Sequence, residues 1–418
     1  MNSDLYTLAS FVASAGGDLL AKAAPFEACI ADARAKGYHT YRRVATAGMD
    51  HRVPIVDPET QREREFIMLG SNNYLGLANH PKVIEAAVEA TRRFGTGMGG
   101  PPLLNGTTTL HRRLEERLAA FKRCEDAIVF PTGYAANLGA IAALVRKGDV
   151  VVADRLAHAS IFDGCRLSDG AMHAFRHNSA AHLDLILRNK AAAAPGGRLV
   201  AVEGVYSMDG DVPPLPDILA VATRHGAALL VDEAHATGVM GRTGRGTVEH
   251  YGLEGRVDLI MGTLSKTLAS VGGFICGRKD VVTYLRYYAR SYFFSASPPP
   301  ATMAAALAAL DLVDQEPWRI ERLRENIAYL KAQLRALGFD CLDSRSAILP
   351  IMIGDEMTCR KIGRRLHELG IFVNPVAYPA VPKNRTRLRL SVMATHTRDD
   401  LDRAIEALAL AGREHGLR

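Results

Sequence analysis

Short apolar segments alternate with helical segments from about residue 80 to residue 277. The apolar segments include 150–153, 199–205 and 228–232, and segments with helical spacing such as 180–193 and 215–225 separate them. Continuous apolar strands are typical of a parallel sheet that is buried on both faces. Because strand–helix alternation is the pattern that builds such a sheet, the chain is predicted to be an α/β protein with a large, mostly parallel sheet.

The rest of the 418-residue chain suggests two further parts. Residues 1–60 lack the alternation and are predicted to form an N-terminal arm or small layer. Residues 61–315 would form the large domain. Residues 316–418 contain both strand-like and helical segments after a long helical zone, and they are predicted to form a smaller C-terminal α+β domain.

Charge and cysteine content bear on the class of protein. The formal net charge of +6 is a mild excess, which fits either a solvated basic surface or attraction to an acidic or phosphorylated partner. None of the six cysteines forms a C-x-x-C pair, so we expect buried thiols in a reducing compartment and no metal site. No apolar run has membrane-spanning length, and the N-terminus lacks the basic region of a signal peptide. A soluble, cytoplasmic protein without an integral membrane segment is therefore expected.

Five of the predicted strands are followed at once by polar or glycine residues that can bind ligands. The carboxyl ends of parallel strands meet at one edge of a sheet, which is where ligands of open α/β sheets bind. These residues are therefore predicted to form one site. In chain order they are Thr132, Gly133 and Tyr134, then Asp154 and His158, then Ser207, then Asp232 and His235, and finally Thr263 and Lys266.

This set of residues suits pyridoxal 5′-phosphate. A lysine amine such as that of Lys266 can bond covalently to an aldehyde cofactor. An acid such as Asp232 can keep a pyridine nitrogen protonated, which makes the ring an electron sink. An imidazole can stack on the ring, and a glycine at a helix start exposes N–H groups to a phosphate. The residues therefore predict a pyridoxal-phosphate enzyme that holds its cofactor on Lys266.

Eight motifs in a fixed order carry a resemblance to a known family. They are SNNYLGL (71–77), LNGT (104–107), TGYAAN (132–137), DRLAHAS (154–160), GVYSMDGD (204–211), DEAH (232–235), GTLSK (262–266) and RLRL (387–390). Each motif is modest alone, but their order and spacing are specific. From about Gly37 to the C-terminus the chain resembles the α-oxoamine synthases, which are fold-type-I pyridoxal-phosphate enzymes. This family includes 8-amino-7-oxononanoate synthase, aminoketobutyrate ligase, 5-aminolevulinate synthase and serine palmitoyltransferase.

The resemblance implies a role for each residue around the cofactor ring. Lys266 would hold the cofactor covalently and take the α-proton of the amino acid. Asp232 would partner the pyridine nitrogen, and His235 would hydrogen-bond the ring hydroxyl oxygen. His158 would stack on the ring, and Ser207 corresponds to a ring-side serine.

The cofactor phosphate would be bound by a second group of residues. The resemblance implies that the backbone N–H groups of Gly133 and Tyr134 contact it and that Thr263 adds a hydroxyl. Ser295 would be donated from the neighbouring subunit, which implies a homodimer with shared active sites.

The implied reaction is a decarboxylative condensation. A small L-α-amino acid (serine, alanine or glycine) would combine with acyl-CoA or an acyl-carrier protein to give an α-aminoketone, carbon dioxide and a free thiol. Asn73 would lie near the substrate, and Arg389 would grip its carboxylate with a planar fork. Segments 263–274 and 294–298 look closest to the serine palmitoyltransferase branch and favour serine or alanine. Residues 99–102 place two prolines where many relatives have a polar residue and an arginine, so no acyl contacts are inferred.

Other interpretations of the same residues remain open. The scaffold could catalyse an aminotransferase or aldolase-like reaction, or a non-catalytic paralogue could scaffold a partner, although such a chain would be expected to lose Lys266. The DEAH tetrapeptide also suggests a nucleic-acid-dependent ATPase, but the phosphate loop that an ATPase needs is missing from the sequence, so no nucleic acid is expected. Asp209 and Gly210 could serve only a turn, and alternating Arg387 and Arg389 fit an edge strand, where Arg389 could pair with a surface acid.

Overall fold

The structure, a computed structural model, describes residues 6, 8–11, 18–57, 61–191 and 195–417. It divides into two units: unit 1 comprises residues 1–72, 208–210 and 322–418, and unit 2 comprises residues 73–207 and 211–321. The three-part division at residues 60 and 315 stays a prediction. The helices and strands, in chain order, are α1 (Ala23–Ala35), β1 (Arg52–Val56), β2 (Glu63–Met68), α2 (Pro81–Phe94), α3 (Thr109–Lys122), β3 (Asp126–Phe130), α4 (Gly133–Leu144), β4 (Val150–Asp154), α5 (Ala159–Leu167), β5 (Ala171–Phe175), α6 (Ala180–Ile186), β6 (Arg198–Glu203), α7 (Leu215–Arg224), β7 (Ala228–Asp232), α8 (Thr247–His250), β8 (Leu259–Thr263), β9 (Gly273–Gly277), α9 (Lys279–Tyr288), α10 (Arg290–Phe293), α11 (Pro300–Gln315), α12 (Trp318–Ala336), β10 (Ile348–Gly354), α13 (Glu356–Glu368), β11 (Ile371–Phe372), β12 (Asn374–Val376), β13 (Thr386–Ser391) and α14 (Arg398–Glu414).

Unit 2 is built on a seven-stranded sheet in the order β3-β9-β8-β7-β6-β4-β5. The five strands from β8 to β5 run parallel to one another, while β9 runs antiparallel to both of its neighbours. Every residue of β4 and of β8 is buried, as expected for strands covered on both faces. The predicted α/β class with a mostly parallel sheet is confirmed.

Several helices of unit 2 begin immediately after a strand, and local capping fixes where they start. Thr132 follows β3, and its hydroxyl accepts the Ala135 N–H at 3.0 Å, so α4 begins at Gly133. His158 caps α5 in the same way by accepting the Ser160 N–H at 3.3 Å. Both helices pack on one face of the sheet through an apolar core that contains Ala140 of α4. The polar residues after the strands are thereby held at the carboxyl edge of the sheet.

The described residues of unit 1 form two small sheets. One has the order β1-β2-β11 and the other is an antiparallel sheet in the order β10-β13-β12. A core of Val53, Ile55, Phe66, Met68 and Met393 lies against the first sheet. Within the described ranges of both units, no helix combines the length and the apolar character that a bilayer crossing requires.

Arg387 and Asp209 form a buried ion pair in unit 1. The Arg387 side chain is only 2% exposed, and its Nη1 group donates to the Asp209 carboxylate and, at 3.1 Å, to the Met208 carbonyl. Burial lowers the pKa of Arg387 to about 10. The interpretation of Asp209 as a turn residue only, and of the Arg387 strand as an edge strand, is wrong. β13 is the central strand of its sheet, and Asp209 is the counter-ion of Arg387.

We predict that Arg387→Met lowers the free energy of unfolding by about 3–5 kcal/mol, because it leaves the Asp209 carboxylate without its main counter-ion. Urea unfolding followed by circular dichroism measures the loss. Arg385→Met is the matched control, since its side chain is 44% exposed and lies 3.7 Å from Asp209, and a loss below about 1 kcal/mol is expected. Equal losses in the two variants would contradict the prediction.

His177 of unit 2 lies between two carboxylates just after β5. Its Nδ1 atom is 3.0 Å from Asp154 Oδ1, and its Nε2 atom is 2.8 Å from Asp211 Oδ2. Burial alone lowers the pKa of His177, but the two hydrogen-bonded carboxylates outweigh burial and raise this pKa to about 9. The protonated imidazole therefore ties the carboxyl end of β4 to the loop that contains Asp211.

We predict that His177 makes the stability of the protein pH-dependent. Because its pKa is raised above the ordinary value of about 6.5, its proton stabilises the fold fully below pH 6.5, and this contribution is lost as the pH rises towards 9. The unfolding free energies of the wild type and of His177→Gln should differ by roughly 2–3 kcal/mol at about pH 6 and converge towards about pH 9. A difference that stays constant over this range would contradict the prediction.

Candidate active site

A cavity of about 220 Å³ lies in unit 2 at the carboxyl edge of the sheet. The elements that end there are β6, β7 and β8, together with the starts of α4 and α5. Most of the residues that the sequence singled out are brought together here. Those that line the cavity are Thr132, Gly133, Tyr134, His158, Asp232, His235, Thr263 and Lys266.

Lys266 lies three residues beyond the end of β8, in a loop that is closed by backbone hydrogen bonds. The Leu264 N–H donates to the Gly272 carbonyl at 2.9 Å, which joins the two ends of the loop. The Ala269 N–H donates to the Lys266 carbonyl at 3.0 Å. The loop is thus pinned between β8 and β9, and it holds a half-buried lysine in the cavity wall.

Asp232, the last residue of β7, is 4% exposed and accepts two hydrogen bonds. Asn137 Nδ2 donates to its Oδ2 atom at 2.7 Å, and the Ala234 N–H donates to its Oδ1 atom at 2.9 Å. Hydrogen bonds to the charged form favour a carboxylate over its acid. Each carboxylate oxygen of Asp232 is therefore held by one donor of the surrounding fold.

Asn137 was not singled out from the sequence, although it lies in the TGYAAN motif. Its Nδ2 group also donates to Ser160 Oγ at 2.9 Å, and Ser160 Oγ lies 2.8 Å from His158 Nδ1. A chain of hydrogen bonds therefore runs from Asp232 through Asn137 and Ser160 to His158. The signal that could have identified Asn137 is its spacing, because residues four apart lie on one face of a helix and Gly133 begins α4.

The two histidines of the cavity are held differently. His235 Nδ1 is 2.7 Å from the Tyr74 hydroxyl, a buried partner that the sequence analysis did not identify. Burial lowers the pKa of His158; Asp232 partly opposes this shift and Lys266 adds to it. His158 is therefore mainly neutral at neutral pH, and its orientation is set by Ser160.

The start of α4 forms an anion-binding end of the cavity. The first N–H groups of a helix have no partner within the helix, and the Thr132 hydroxyl accepts that of Ala135 while its carbonyl accepts that of Ala136. A Cβ atom at position 133 would lie 3.0 Å from Thr263 Oγ1, so glycine lets the helix start approach β8 closely. Gly133, Tyr134 and Thr263 line the same part of the cavity, where the helix dipole favours a negative group.

Tyr134 lines the cavity, and its side chain is exposed. Its hydroxyl donates to Asp163, and this hydrogen bond raises the pKa of Tyr134. Its ring meets the His158 ring edge-on, with centroids 6.1 Å apart. The side chain therefore flanks His158 at the mouth of the cavity.

Four predicted residues of unit 2 are not among the described residues that line the cavity. Asp154, the last residue of β4, instead contacts His177 at 3.0 Å, so the structure does not bring it to the cavity. Ser207 is buried, and its backbone N–H contributes to holding Glu203. Asn73 Oδ1 accepts the N–H groups of Leu77 and Ala78 at 2.9 and 3.1 Å, so its amide stabilises a turn. Ser295 is half-buried in the segment after α10.

Arg389 belongs to unit 1 and lies on β13. It is 5% exposed, and its Nη1 group donates to Asn72 Oδ1 and to Ser391 Oγ, both at 3.1 Å. Because β13 is a central strand, the alternative of an arginine on an exposed edge is wrong.

The cavity of unit 2 fits pyridoxal phosphate in three respects. Lys266 supplies an amine, Asp232 supplies a carboxylate that accepts two hydrogen bonds, and the start of α4 supplies N–H groups beside a glycine whose position leaves little room for a side chain. These are the groups that a pyridoxal aldehyde, its ring nitrogen and its phosphate require.

Comparison with known proteins identifies the family. Residues 64–408 match the model of the aminotransferase class I and II family. The chain is 45% identical over 354 residues to 8-amino-7-oxononanoate synthase of Symbiobacterium thermophilum, covering 85% of this chain and 90% of that protein. It is 41% identical over 414 residues to the 4-hydroxy-2,2′-bipyrrole-5-methanol synthase PigH of Serratia sp., covering 99% of this chain and 63% of the length of PigH.

Solved structures show the same relationship. Serine palmitoyltransferase of S. paucimobilis superposes with a TM-score of 0.91 at 36% identity, covering 96% of this chain and all of that chain. The 8-amino-7-oxononanoate synthase of Francisella tularensis superposes with a TM-score of 0.72 at 25% identity, covering 84% of this chain and 98% of that chain. The predicted fold type, family and cofactor are confirmed. The chain belongs to the α-oxoamine synthases, the fold-type-I pyridoxal-phosphate acyltransferases that condense an amino acid with an acyl thioester.

Proposed function

We propose that this protein condenses a small L-α-amino acid with an acyl thioester on a pyridoxal phosphate bound to Lys266, and releases carbon dioxide and a free thiol. The observation that carries the proposal is the cavity that brings Lys266 together with the hydrogen-bonded carboxylate of Asp232. The fold alone would not define a reaction, because one fold hosts many functions.

Pyridoxal phosphate, when bound, supplies an aldehyde for a lysine amine and a ring that takes up electrons. Asp232 would keep a proton on the ring nitrogen, because its charge is sustained by Asn137 and by the Ala234 N–H. Lys266 would hold the cofactor and then accept the proton that leaves the α-carbon of the amino acid.

The two histidines would orient the ring. His158, which is mainly neutral and fixed by Ser160, would stack on one face. His235 would hydrogen-bond the ring hydroxyl oxygen, with its own orientation set by Tyr74. Ser207, which is buried, would lie beside the cofactor ring.

The phosphate would bind at the start of α4. Gly133 and Tyr134 would donate backbone N–H groups. The Thr263 hydroxyl, which donates to the Gly272 carbonyl at 2.9 Å, would turn to the phosphate as a further donor. Ser295 would reach the phosphate of a neighbouring subunit, so that two copies of the chain share their active sites.

A homodimer is supported by large apolar side chains that are exposed in unit 2. Leu104 is 77% exposed and Phe294 is 69% exposed, and Phe294 is the neighbour of Ser295. Val271, in the Lys266 loop, is also exposed. Contiguous apolar patches at a surface are typical of interaction sites, and Phe294 is the apolar residue that such a patch would place beside Ser295.

Arg389 and Asn73 would bind the amino acid. A buried guanidinium offers a carboxylate two parallel donors, which is the reason for assigning the substrate carboxylate to Arg389. The relatives include 8-amino-7-oxononanoate synthases and serine palmitoyltransferases, which favours alanine or serine as the amino acid. Both acyl-CoA and an acyl-carrier protein are candidate acyl donors. A cytoplasmic location accords with the six free cysteines, five of which are buried.

Thiol release tests the proposal directly. Purified holoenzyme is mixed with serine, alanine or glycine and with a series of acyl-CoA and acyl-carrier-protein donors, and free thiol is measured over time. Release is expected with at least one pair, and Lys266→Ala should lower the rate by about 10³-fold or more, because the amine that carries the α-proton is lost.

The outcomes separate the alternatives. Absence of thiol with every pair would refute the condensation, and a keto acid formed without a thioester would favour the aminotransferase alternative. Retained turnover in Lys266→Ala would refute the role of the lysine.

Asn137→Ala should weaken the binding of pyridoxal phosphate by about tenfold or more, because one hydrogen bond to a charged group is removed. Fluorescence titration of the apoenzyme measures the dissociation constant. Asn178→Ala is the matched control, since Asn178 donates to the Asp211 carboxylate at 2.7 Å and is not among the described residues of the cavity. Equal affinities in the two variants would count against the role of Asn137.

A further inference from the structure

Three neighbouring strands of the sheet each end in a carboxylic acid: Asp154 on β4, Glu203 on β6 and Asp232 on β7. The register pairs Glu203 directly with Asp232, so both side chains lie on the same face of the sheet. The register of β4 with β6 pairs Ala153 with Ala201, so Asp154 is in step with Val202 and not with Glu203. Asp154 therefore lies on the opposite face, where His177 contacts it. Glu203 and Asp232 therefore form a pair of acids in the same cavity.

Glu203 was not identified from the sequence, and its surroundings differ from those of Asp232. It is fully enclosed, and its Oε1 atom is buried without a hydrogen-bond partner among the described residues. A backbone N–H of Ser207 is the hydrogen bond that supports its charge, whereas Asp232 accepts two. Two adjacent carboxylates cannot both ionise without a large cost, so the proton goes to the acid with fewer donors.

Burial and the charged groups around Glu203 together raise its pKa. Burial raises its pKa well above the usual value, and the neighbouring Asp232 and the more distant Asp154 add to this shift. Lys266 and the Ser207 N–H oppose the shift without cancelling it. Tyr206, which follows on the same chain segment, is itself fully buried and has its pKa raised, so it adds no charge at neutral pH.

We propose that Glu203 remains a neutral carboxylic acid in the loaded enzyme and acts as a positioning residue, so that the single negative charge of the pair stays on Asp232. This inference deepens the proposed function and rests on it, because Asp232 is the group that would hold the proton of the ring nitrogen. An ionised Glu203 would make the two acids compete for one proton, and Asp232 would lose its charge for part of the time.

Infrared spectroscopy of the holoenzyme, with ¹³C-labelled glutamate side chains, detects the proton. At about pH 7.5 the wild type should show the carbonyl stretch of a protonated glutamic acid, and Glu203→Gln should lack it. Glu115→Gln is the matched control, because Glu115 is buried elsewhere in unit 2 with a pKa raised by burial to about 6. That variant should lose only an acid band that appears below about pH 6. Absence of the band from the wild type at about pH 7.5 would overturn the inference.

A second measurement tests the coupling to Asp232. Asp232→Asn removes the like charge beside Glu203, so the acid band should disappear at a pH at least about one unit lower than in the wild type. A midpoint that does not move would overturn the positioning role, because a purely structural glutamate would not respond to the charge at position 232. Neither result depends on substrates. A failed thiol assay would therefore refute the condensation and leave both infrared results standing.

Discussion

The active site depends on the hydrogen bonds that hold one buried carboxylate, that of Asp232. Removing a charge from water costs several kcal/mol unless donors replace the water. The donors are Asn137 on α4 and the Ala234 N–H in the turn after β7, so they come from two different elements. α4 must therefore pack over the carboxyl end of β7, and that placement determines where the other groups of the cavity can lie.

The sheet order brings the remaining groups to Asp232. β7 lies between β6 and β8, so Glu203 and Thr263 end at the same edge, and Lys266 follows Thr263 within the same loop. The antiparallel β9 follows directly after the Lys266 loop, and Gly272, the residue before β9, closes that loop by accepting the Leu264 N–H. A parallel partner would need a long crossover connection here and would leave the lysine on a longer segment.

The sequence predicted the groups that follow strand ends, because apolar runs and the residues after them are local patterns. Lys266, Asp232 and His158 were identified in this way. Asn137 could have been identified too, because it lies one helical turn after the start of α4. Glu203 could not be identified in this way. It is a single acid inside the apolar run 199–205, and the sequence does not indicate which strand lies beside it. Only the register with β7 reveals its neighbour. The pairing of Arg387 with Asp209 joins residues 178 positions apart, and nothing local to either residue encodes it.

α4 has two tasks that together fix the geometry of the site. Its first N–H groups would hold the cofactor phosphate, while Asn137, one turn or about 5.4 Å further along, holds Asp232 for the ring nitrogen. The two negative groups of the loaded site are thus kept apart by a rigid helix rather than by a flexible loop. Gly133 allows the start of α4 to lie close to β8, because a Cβ atom at this position would be only 3.0 Å from Thr263 Oγ1. A displacement of α4 would therefore disturb both the phosphate contact and the hydrogen bond from Asn137 to Asp232. A substitution that moves this helix would change the binding of the phosphate and of the ring nitrogen together.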